Sequence, residues 1–168
     1  MNKNDLRYLK TEKLIESTYY ELRMKHGGPV KVSELCEAAM INKTTFYLHY
    51  ETMNDLHEHM CNKLIKDILD SCPNVDKAYT DLDNCMDSVL NTLLDKMDTI
   101  LKFFGDNVPS LINSVEIYFL KLYITDDVPI HRQAEICFAI GGAARLLAST
   151  DNPAAKKVTA DLIKRIFT

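Results

Sequence analysis

Side chains suited to contact nucleic acid are concentrated in one short stretch, which reads KTTFYLHY from Lys43 to Tyr50. The stretch combines a cation, hydroxyl groups and aromatic rings, and both lysine amines and hydroxyls donate hydrogen bonds to oxygen acceptors. Phe46 and Tyr50 are four residues apart, so in a helix they share one face, which we expect to turn inward. The side chains left outward or lateral are Lys43, Thr44, Tyr47 and Leu48.

Two short helices joined by a tight bend are predicted to position these side chains. The first helix covers Val32–Ala39, Met40 and Ile41 form the bend, and Asn42 is a good N-cap for a second helix over residues 43–50. The apolar positions of the first helix recur at i, i+3, i+4 and i+7, which predicts one buried stripe of Val32, Leu35, Cys36 and Ala39. The inward face of the second helix is expected to pack on Leu35, Ala39 and Leu14.

The pattern is a helix-turn-helix, and residues Lys31–Leu56 resemble the DNA-binding module of the TetR/AcrR family of transcriptional regulators. The resemblance is carried, within and around the run INKTTFYLHYETMNDL, by Leu35, Ala39, Ile41, Thr45, Phe46, Tyr47, Tyr50 and Leu56. It implies an all-α protein with an N-terminal three-helix helix-turn-helix DNA-binding domain in residues 1–52. A helical ligand-binding and dimerisation domain would follow in residues 53–168.

The same resemblance implies which side chains bind DNA. A lysine can donate to guanine O6 and N7, and threonine or leucine methyl groups can contact the thymine methyl. The side chains expected at base edges are Lys43, Thr44 and Leu48. Those expected at phosphates, which fix register but carry no sequence code, are Thr45, Tyr47 and His49, and Ser33 completes the DNA-binding set.

Two positions depart from the family's pattern. The bend residue, usually glycine, is Met40. The turn must therefore be made without a residue that tolerates positive φ, or the methionine backbone is strained. A lysine that ordinarily contacts phosphate ahead of the fourth helix is replaced by Met53. The fourth helix can still offer free amides to a phosphate, with Thr52 as N-cap and Asp55 completing a T-x-x-D capping box.

Composition is that of an ordinary soluble protein, with 168 residues, 46% hydrophobic and 26% charged. The net charge of -4 argues against non-specific coating of nucleic acid. Residues 1–56 hold eight basic and eight acidic side chains, whereas the remainder holds twelve and sixteen. No apolar signal segment follows the first residues, and the run Ile136–Ala148 is too short to span a bilayer, so we expect a cytoplasmic protein with no membrane partner.

No arrangement typical of catalysis or of a metal centre is recognisable. Five cysteines without C-x-x-C spacing indicate reduced thiols, although a thiol sensor stays open. His57 and Cys61 lie at i and i+4, but two ligands do not make a zinc site. No Ser/His/Asp, Cys/His or paired-carboxylate set and no phosphate loop appears, so we expect no catalytic residue, no cofactor and no metal.

Helical periodicity continues along the rest of the chain. Gly and Pro at positions 27–29 end the first helix, and Cys72-Pro73-Asn74 ends the fourth. The helices predicted outside the motif cover Asp5–Lys25, Met53–Ser71, Leu82–Phe104, Val108–Ile124, Pro129–Ser149 and Asn152–Phe167. Small residues around Gly141 and Gly142 weaken helix propensity, which predicts the close approach of another helix.

The C-terminal part is expected to bind an effector and a second copy of the chain. Flexible methionines and aromatic side chains suit an adaptable pocket, and the candidates are Met86, Met97, Phe104, Tyr118 and Tyr123. Such stripes are also typical of plain core. The family dimerises through its last two helices, which here implies residues 129–167, with tight packing inside one chain as the alternative.

The resemblance to the TetR/AcrR family implies a homodimeric, ligand-responsive transcriptional regulator, a repressor, that binds a pseudo-palindromic double-stranded DNA operator. A small molecule would change the spacing of the two DNA-binding heads through the helix Met53–Ser71. One alternative is a protein of the same fold that has lost operator binding and acts through protein partners. The other is a small helical enzyme whose catalytic groups meet only in space.

Overall fold

The computed structural model describes residues 5–149, Asp161 and Arg165, apart from the side chains of Leu82, residues 143–144 and residues 146–149. Regular structure in this part of the chain is entirely helical, which confirms the all-α prediction. The helices are α1 (Leu6–His26), α2 (Val32–Ala38), α3 (Lys43–His49), α4 (Met53–Asp70), α5 (Leu82–Asp95), α6 (Met97–Phe104), α7 (Val108–Tyr123) and α8 (Ile130–Ser149).

The ends of α1 follow from its local sequence. The Asp5 side chain accepts a hydrogen bond from the Arg7 amide at 2.9 Å, which satisfies one of the free amides of the first turn. Gly27 adopts the left-handed conformation at φ 64° and donates its amide to the Arg23 carbonyl. The predicted stop at residues 27–29 is therefore confirmed, because glycine takes this conformation without a Cβ clash.

The predicted single helix over Leu82–Phe104 is wrong, because the chain breaks at Lys96 into α5 and α6. The Lys96 amide donates to the Leu94 carbonyl instead of continuing the i to i−4 ladder. Asp98 then lies in the first turn of α6, where its negative charge favours a helix start. Apolar positions recur on both sides of the break, so periodicity alone does not reveal it.

The chain divides into two units. The first contains the described residues up to Cys61 together with Asp98–Asp106, and the second contains Asn62–Met97 and the described residues from Asn107 onward. The fully buried side chains of the first unit include Ile15, Leu35, Phe46 and Leu56.

Burial in the first unit follows the prediction except at Val32, which is only partly buried, and at Leu14. Leu35, Ala39, Phe46 and Tyr50 are buried as expected. Leu14, expected beneath the second helix of the motif, is instead 43% exposed. Ile15 lies in the core in its place, because one residue further along a helix turns the side chain by about 100°.

The second unit has a small core of its own. Buried side chains from the segment before α5 and from α5, α7 and α8 meet there: Ala78, Cys85, Tyr123 and Ile136. The predicted close approach beside the small residues is confirmed at Gly141, where a Cβ would lie 2.9 Å from Glu116 Oε1 of α7. The predicted last helix, Asn152–Phe167, lies outside the described residues apart from Asp161 and Arg165, which are helical.

Among the described helices, none combines the length and hydrophobicity that crossing a membrane requires.

Candidate nucleic-acid interface

The bend between α2 and α3 places α3 through backbone hydrogen bonds and one strained residue. The Ile41 amide donates to the Cys36 carbonyl at 3.0 Å, and the Met40 amide donates to the Glu37 carbonyl at 3.2 Å. Met40 has φ 52°, in the left-handed region that favours glycine, and its side chain is 92% exposed. The strain predicted for this methionine is thus present, without side-chain packing in the described structure that would offset it.

The start of α3 is capped by Asn42. Its side-chain oxygen accepts from the Thr45 amide at 2.7 Å and from the Thr45 hydroxyl at 2.9 Å. The N-cap prediction is confirmed, and it explains why a helix of seven residues begins at Lys43. The Thr45 hydroxyl proton is engaged in this cap, so the hydroxyl can meet a phosphate only by leaving Asn42.

The inner side of α3 is tied to α1 and α4 through a buried carboxylate. Phe46 is fully buried, and Tyr50 donates its hydroxyl to Glu16 Oε1 at 3.3 Å. His59 Nε2 of α4 lies 2.7 Å from the same oxygen. Burial and the neighbouring Glu16 carboxylate raise the pKa of Tyr50, so this hydroxyl stays protonated and available as a donor.

The outer side of α3 carries most of the side chains predicted to bind DNA. Lys43 and Thr44 are exposed in its first turn, and Tyr47 and Leu48 are 54% and 53% exposed one turn later. Residues at i, i+1, i+4 and i+5 lie on the same side of a helix, so these four form one surface. Ser33 is also exposed, at the second position of α2.

His49 is placed differently from the other predicted contacts. Its ring stacks on Tyr8 of α1, with centroids 4.0 Å apart. Both ring nitrogens are buried and have no hydrogen-bond partner among the described residues. Burial lowers the pKa of His49, while Glu12 opposes that shift. The imidazole therefore joins α3 to α1 in this conformation and would have to leave Tyr8 to reach a phosphate.

Tyr8 holds His49 of the candidate interface in place, and sequence reasoning missed it. It is buried, and it lies seven residues before Ile15 and eleven before Tyr19, both of which are buried on the same side of α1. That helical spacing was visible in the sequence, but neighbouring leucines obscured it.

The start of α4 keeps the predicted capping box. The Thr52 amide donates to Asp55 Oδ2 at 2.8 Å, and the Asp55 amide donates to Thr52 Oγ1 at 3.1 Å. These bonds satisfy two of the groups that would otherwise be free at this helix start. Met53 follows directly and provides no cation, so a phosphate near this end would meet backbone amides only.

His57 and Cys61 lie together inside the first unit. Cys61 Sγ is 3.6 Å from His57 Nε2, and Tyr19 hydroxyl is 2.8 Å from His57 Nδ1. Burial raises the pKa of the Cys61 thiol to about 12, so the sulfur is a protonated core group at neutral pH. No group of three or more potential metal ligands occurs among the described residues.

The five candidate pocket residues are divided between the two units. Phe104 belongs to the first unit, where its carbonyl accepts from Arg23, and the other four belong to the second. Tyr118 donates its hydroxyl to Asp70 at 3.2 Å. Tyr123 donates its hydroxyl to the Val75 carbonyl at 2.6 Å and accepts from the Ala78 amide. Met86 and Met97 are partly buried on α5 and at the start of α6.

Comparison of the chain with family models, characterised proteins and solved structures gives no match.

Proposed function

We propose that the chain is a homodimeric, ligand-responsive transcriptional regulator of the TetR/AcrR type, which represses genes by binding a pseudo-palindromic operator. The observation that carries the proposal is the division of α3 into two sides. Phe46 is fully buried, whereas Lys43, Thr44, Tyr47 and Leu48 face solvent on a helix capped at Asn42. A short, firmly held helix whose exposed side carries a lysine, hydroxyl groups and an apolar side chain is what a major groove accommodates.

The DNA-contacting roles divide between the two kinds of readout. Lys43 would donate to guanine, and Thr44 and Leu48 would meet thymine methyl groups. Tyr47 and Ser33 would donate to phosphates, since both are exposed. Thr45 and His49 would add phosphate contacts only after leaving their partners Asn42 and Tyr8.

Dimerisation and effector binding are assigned to the second unit and to residues 129–167. Support comes from α8, where Ile130 and Phe138 are 79% and 83% exposed although both are large and apolar. Such side chains are typical of a surface that another protein covers. An effector would bind in the helical second unit and shift the population between head spacings that fit and do not fit successive major grooves, about 34 Å apart.

Selection of duplexes from a random pool, followed by mobility-shift titration at several salt concentrations, tests DNA binding. We expect a palindromic sequence with half-sites about one helical turn apart, and an affinity that falls as salt rises. Lys43→Ala should weaken binding and relax base preference at one position of each half-site. Lys25→Ala removes an exposed lysine from the far end of α1 and serves as the matched control, with affinity unchanged.

Two results would contradict the proposal. One is the absence of any selected sequence with the intact dimer at low salt. The other is an equal loss of affinity from Lys43→Ala and Lys25→Ala, which would indicate non-specific attraction to the polyanion.

A second candidate function is binding of a protein partner by the same surface, without DNA. It is favoured by the apolar side chains exposed on that surface and in the bend before it, since Tyr47, Leu48 and the bend residue Met40 are all large and more than half exposed. The double variant Lys43→Ala, Tyr47→Ala distinguishes the two functions. Under the operator proposal it abolishes selected binding, whereas a partner held by Met40 and Leu48 would still bind.

A further inference from the structure

Two helices of this chain each expose a stripe of leucines to solvent. On α1, the positions i, i+3, i+4, i+7 and i+8 are all exposed and form what we call the basic face: Leu6, Leu9, Lys10, Lys13 and Leu14. On α5, the same spacing is again exposed throughout and forms the acidic face: Asp87, Leu90, Asn91, Leu94 and Asp95. Residues with this spacing lie on one side of a helix, so each set is a continuous surface.

The exposure of these leucines is not shared by every described helix. On α4, the exposed side chains are all polar or charged: Asn54, Asp55, Glu58, His59, Lys63, Lys66, Asp67 and Asp70. By contrast, Leu6 of the basic face is 73% exposed, and Leu94 of the acidic face is 62% exposed. Leucines at consecutive turns of one helix face indicate a surface that another element covers.

The basic face is turned away from the DNA-binding helix. Tyr8 and Glu16 are the residues of α1 that contact His49 and Tyr50 at the C-terminal end of α3. At about 100° per residue, Tyr8 lies on the opposite side of α1 from Lys10 and Lys13, and Glu16 lies at the edge of the basic face. Binding of DNA by α3 would therefore leave this face uncovered.

The two faces complement each other in charge. Leucines on the basic face accompany two lysines, and leucines on the acidic face accompany two aspartates. Contact between them would cover apolar surface on both sides and bring opposite charges together. We propose that a second copy of this chain is the partner, with the basic face of one copy docked on the acidic face of another.

This contact is heterologous, because the two surfaces that meet are different. Each copy therefore keeps one free face of each kind, and association continues beyond a single added copy unless the rotation closes a ring. Exposed ion pairs are weak and are screened by salt, so the assembly is reversible and forms at low ionic strength. The inference goes beyond the proposed function, since it needs neither DNA nor an effector.

Charge reversal of each face provides the test. The first variant is Lys10→Glu, Lys13→Glu, and the second is Asp87→Lys, Asp95→Lys. Within each variant the two faces then carry the same charge, so each variant should associate more weakly than the wild type. In an equal mixture the unchanged acidic face of the first variant meets the unchanged basic face of the second, as in the wild type. The two reversed faces form the same contact with the charges exchanged.

Sedimentation velocity of the full chain without DNA gives the readout. At about 50 mM salt the wild-type average mass should rise with protein concentration, and at about 500 mM salt it should stay constant. Each variant should lower the association constant by about tenfold, and the mixture should restore it. Asp67→Lys, on the polar side of α4, is the matched control and should associate as the wild type does. Circular dichroism melting of every variant verifies folding.

Three outcomes would overturn the proposal. In the first, the wild-type mass does not change with concentration at low salt. In the second, both variants associate like the wild type. In the third, the wild type floats with phosphatidylserine vesicles, and the double variant Lys10→Glu, Lys13→Glu does not. If the mixture of variants then restores no association, the basic face binds an anionic lipid surface.

Discussion

Arg23 of α1 donates from Nε to the carbonyl oxygen of Phe103 at 2.7 Å, joining residues eighty positions apart in the chain. Its Nη2 donates to the neighbouring Phe104 carbonyl at 3.2 Å. Both carbonyls lie in the last turn of α6, where the helix leaves acceptors unsatisfied and carries partial negative charge. A buried cation therefore neutralises this helix end and holds Asp98–Asp106 in the first unit.

Arg23→Met should lower the free energy of unfolding by about 3 kcal/mol, because it leaves two buried carbonyls without a donor. Arg23→Lys should be intermediate, since an ammonium keeps the charge but lacks the planar fork. Denaturant titration followed by circular dichroism measures both. Arg7→Met, at an exposed position of α1, is the control and should change stability by less than about 0.5 kcal/mol. Equal effects of Arg23→Met and Arg7→Met would show that the carbonyl contacts contribute nothing.

Acidification should destabilise the protein through His57. Burial and the nearby Arg23 lower the pKa of His57 below its ordinary 6.5, so the folded state binds fewer protons than the unfolded state. The stability that neutral His57 contributes is complete above pH 6.5 and is lost as pH falls toward its lowered pKa. Melting temperatures between pH 8 and pH 5 should therefore fall less steeply for His57→Gln than for the wild type.

The exposed His131 supplies the control for that measurement. His131→Gln should leave the dependence of melting temperature on pH as it is in the wild type. A slope unchanged in His57→Gln would assign the acid sensitivity to other groups.

Met40→Gly should stabilise the protein by about 1 kcal/mol, because glycine adopts φ 52° without the clash that a Cβ causes. The methionine side chain is almost fully exposed, so little packing is lost. Ala38→Gly is the matched control in the last residue of α2, where it should instead cost about 0.5–1 kcal/mol. Chemical denaturation compares the two, and destabilisation by both variants would argue against strain at the bend.

Gly141 and Gly142 should respond differently to alanine. Gly142→Ala should stabilise α8 by about 0.5–1 kcal/mol, since no described atom lies within 4 Å of the added Cβ. Gly141→Ala should gain less, because its Cβ would meet the Glu116 carboxylate at 2.9 Å and push it aside. In a Glu116→Ala background the two alanine variants should become equivalent. Thermal melts of the four glycine variants and of their two parent proteins check this, and equal gains with Glu116 present would contradict it.

Several features of the fold were predictable because they depend on nearby residues. Asn42 capping Lys43, Thr52 paired with Asp55, and Gly27 ending α1 all follow from side chains that act within four positions. The burial of Phe46 and Tyr50 followed from their spacing in one helix. The break at Lys96 was missed, because apolar residues continue in phase across it.

The candidate site was predictable in its residue types but not in its contacts. Lys43, Thr44, Tyr47 and Leu48 are exposed as their positions on α3 require. The stacking of His49 on Tyr8 brings together two side chains that are forty-one positions apart in the chain, and no local pattern determines such a pairing. For the same reason the separation of Phe104 from the other pocket candidates could not be foreseen.

The sequence by itself determined the helical class, the caps of α3 and α4 and the division of α3 into a buried and an exposed side, because hydrophobic period and capping act over one or two turns. Only the tertiary structure decided how the buried charges are satisfied. The Glu16 carboxylate accepts a hydrogen bond from Tyr50 and lies beside the His59 ring, and Arg23 donates to the last turn of α6. A charge removed from water must find such a partner wherever the fold brings one.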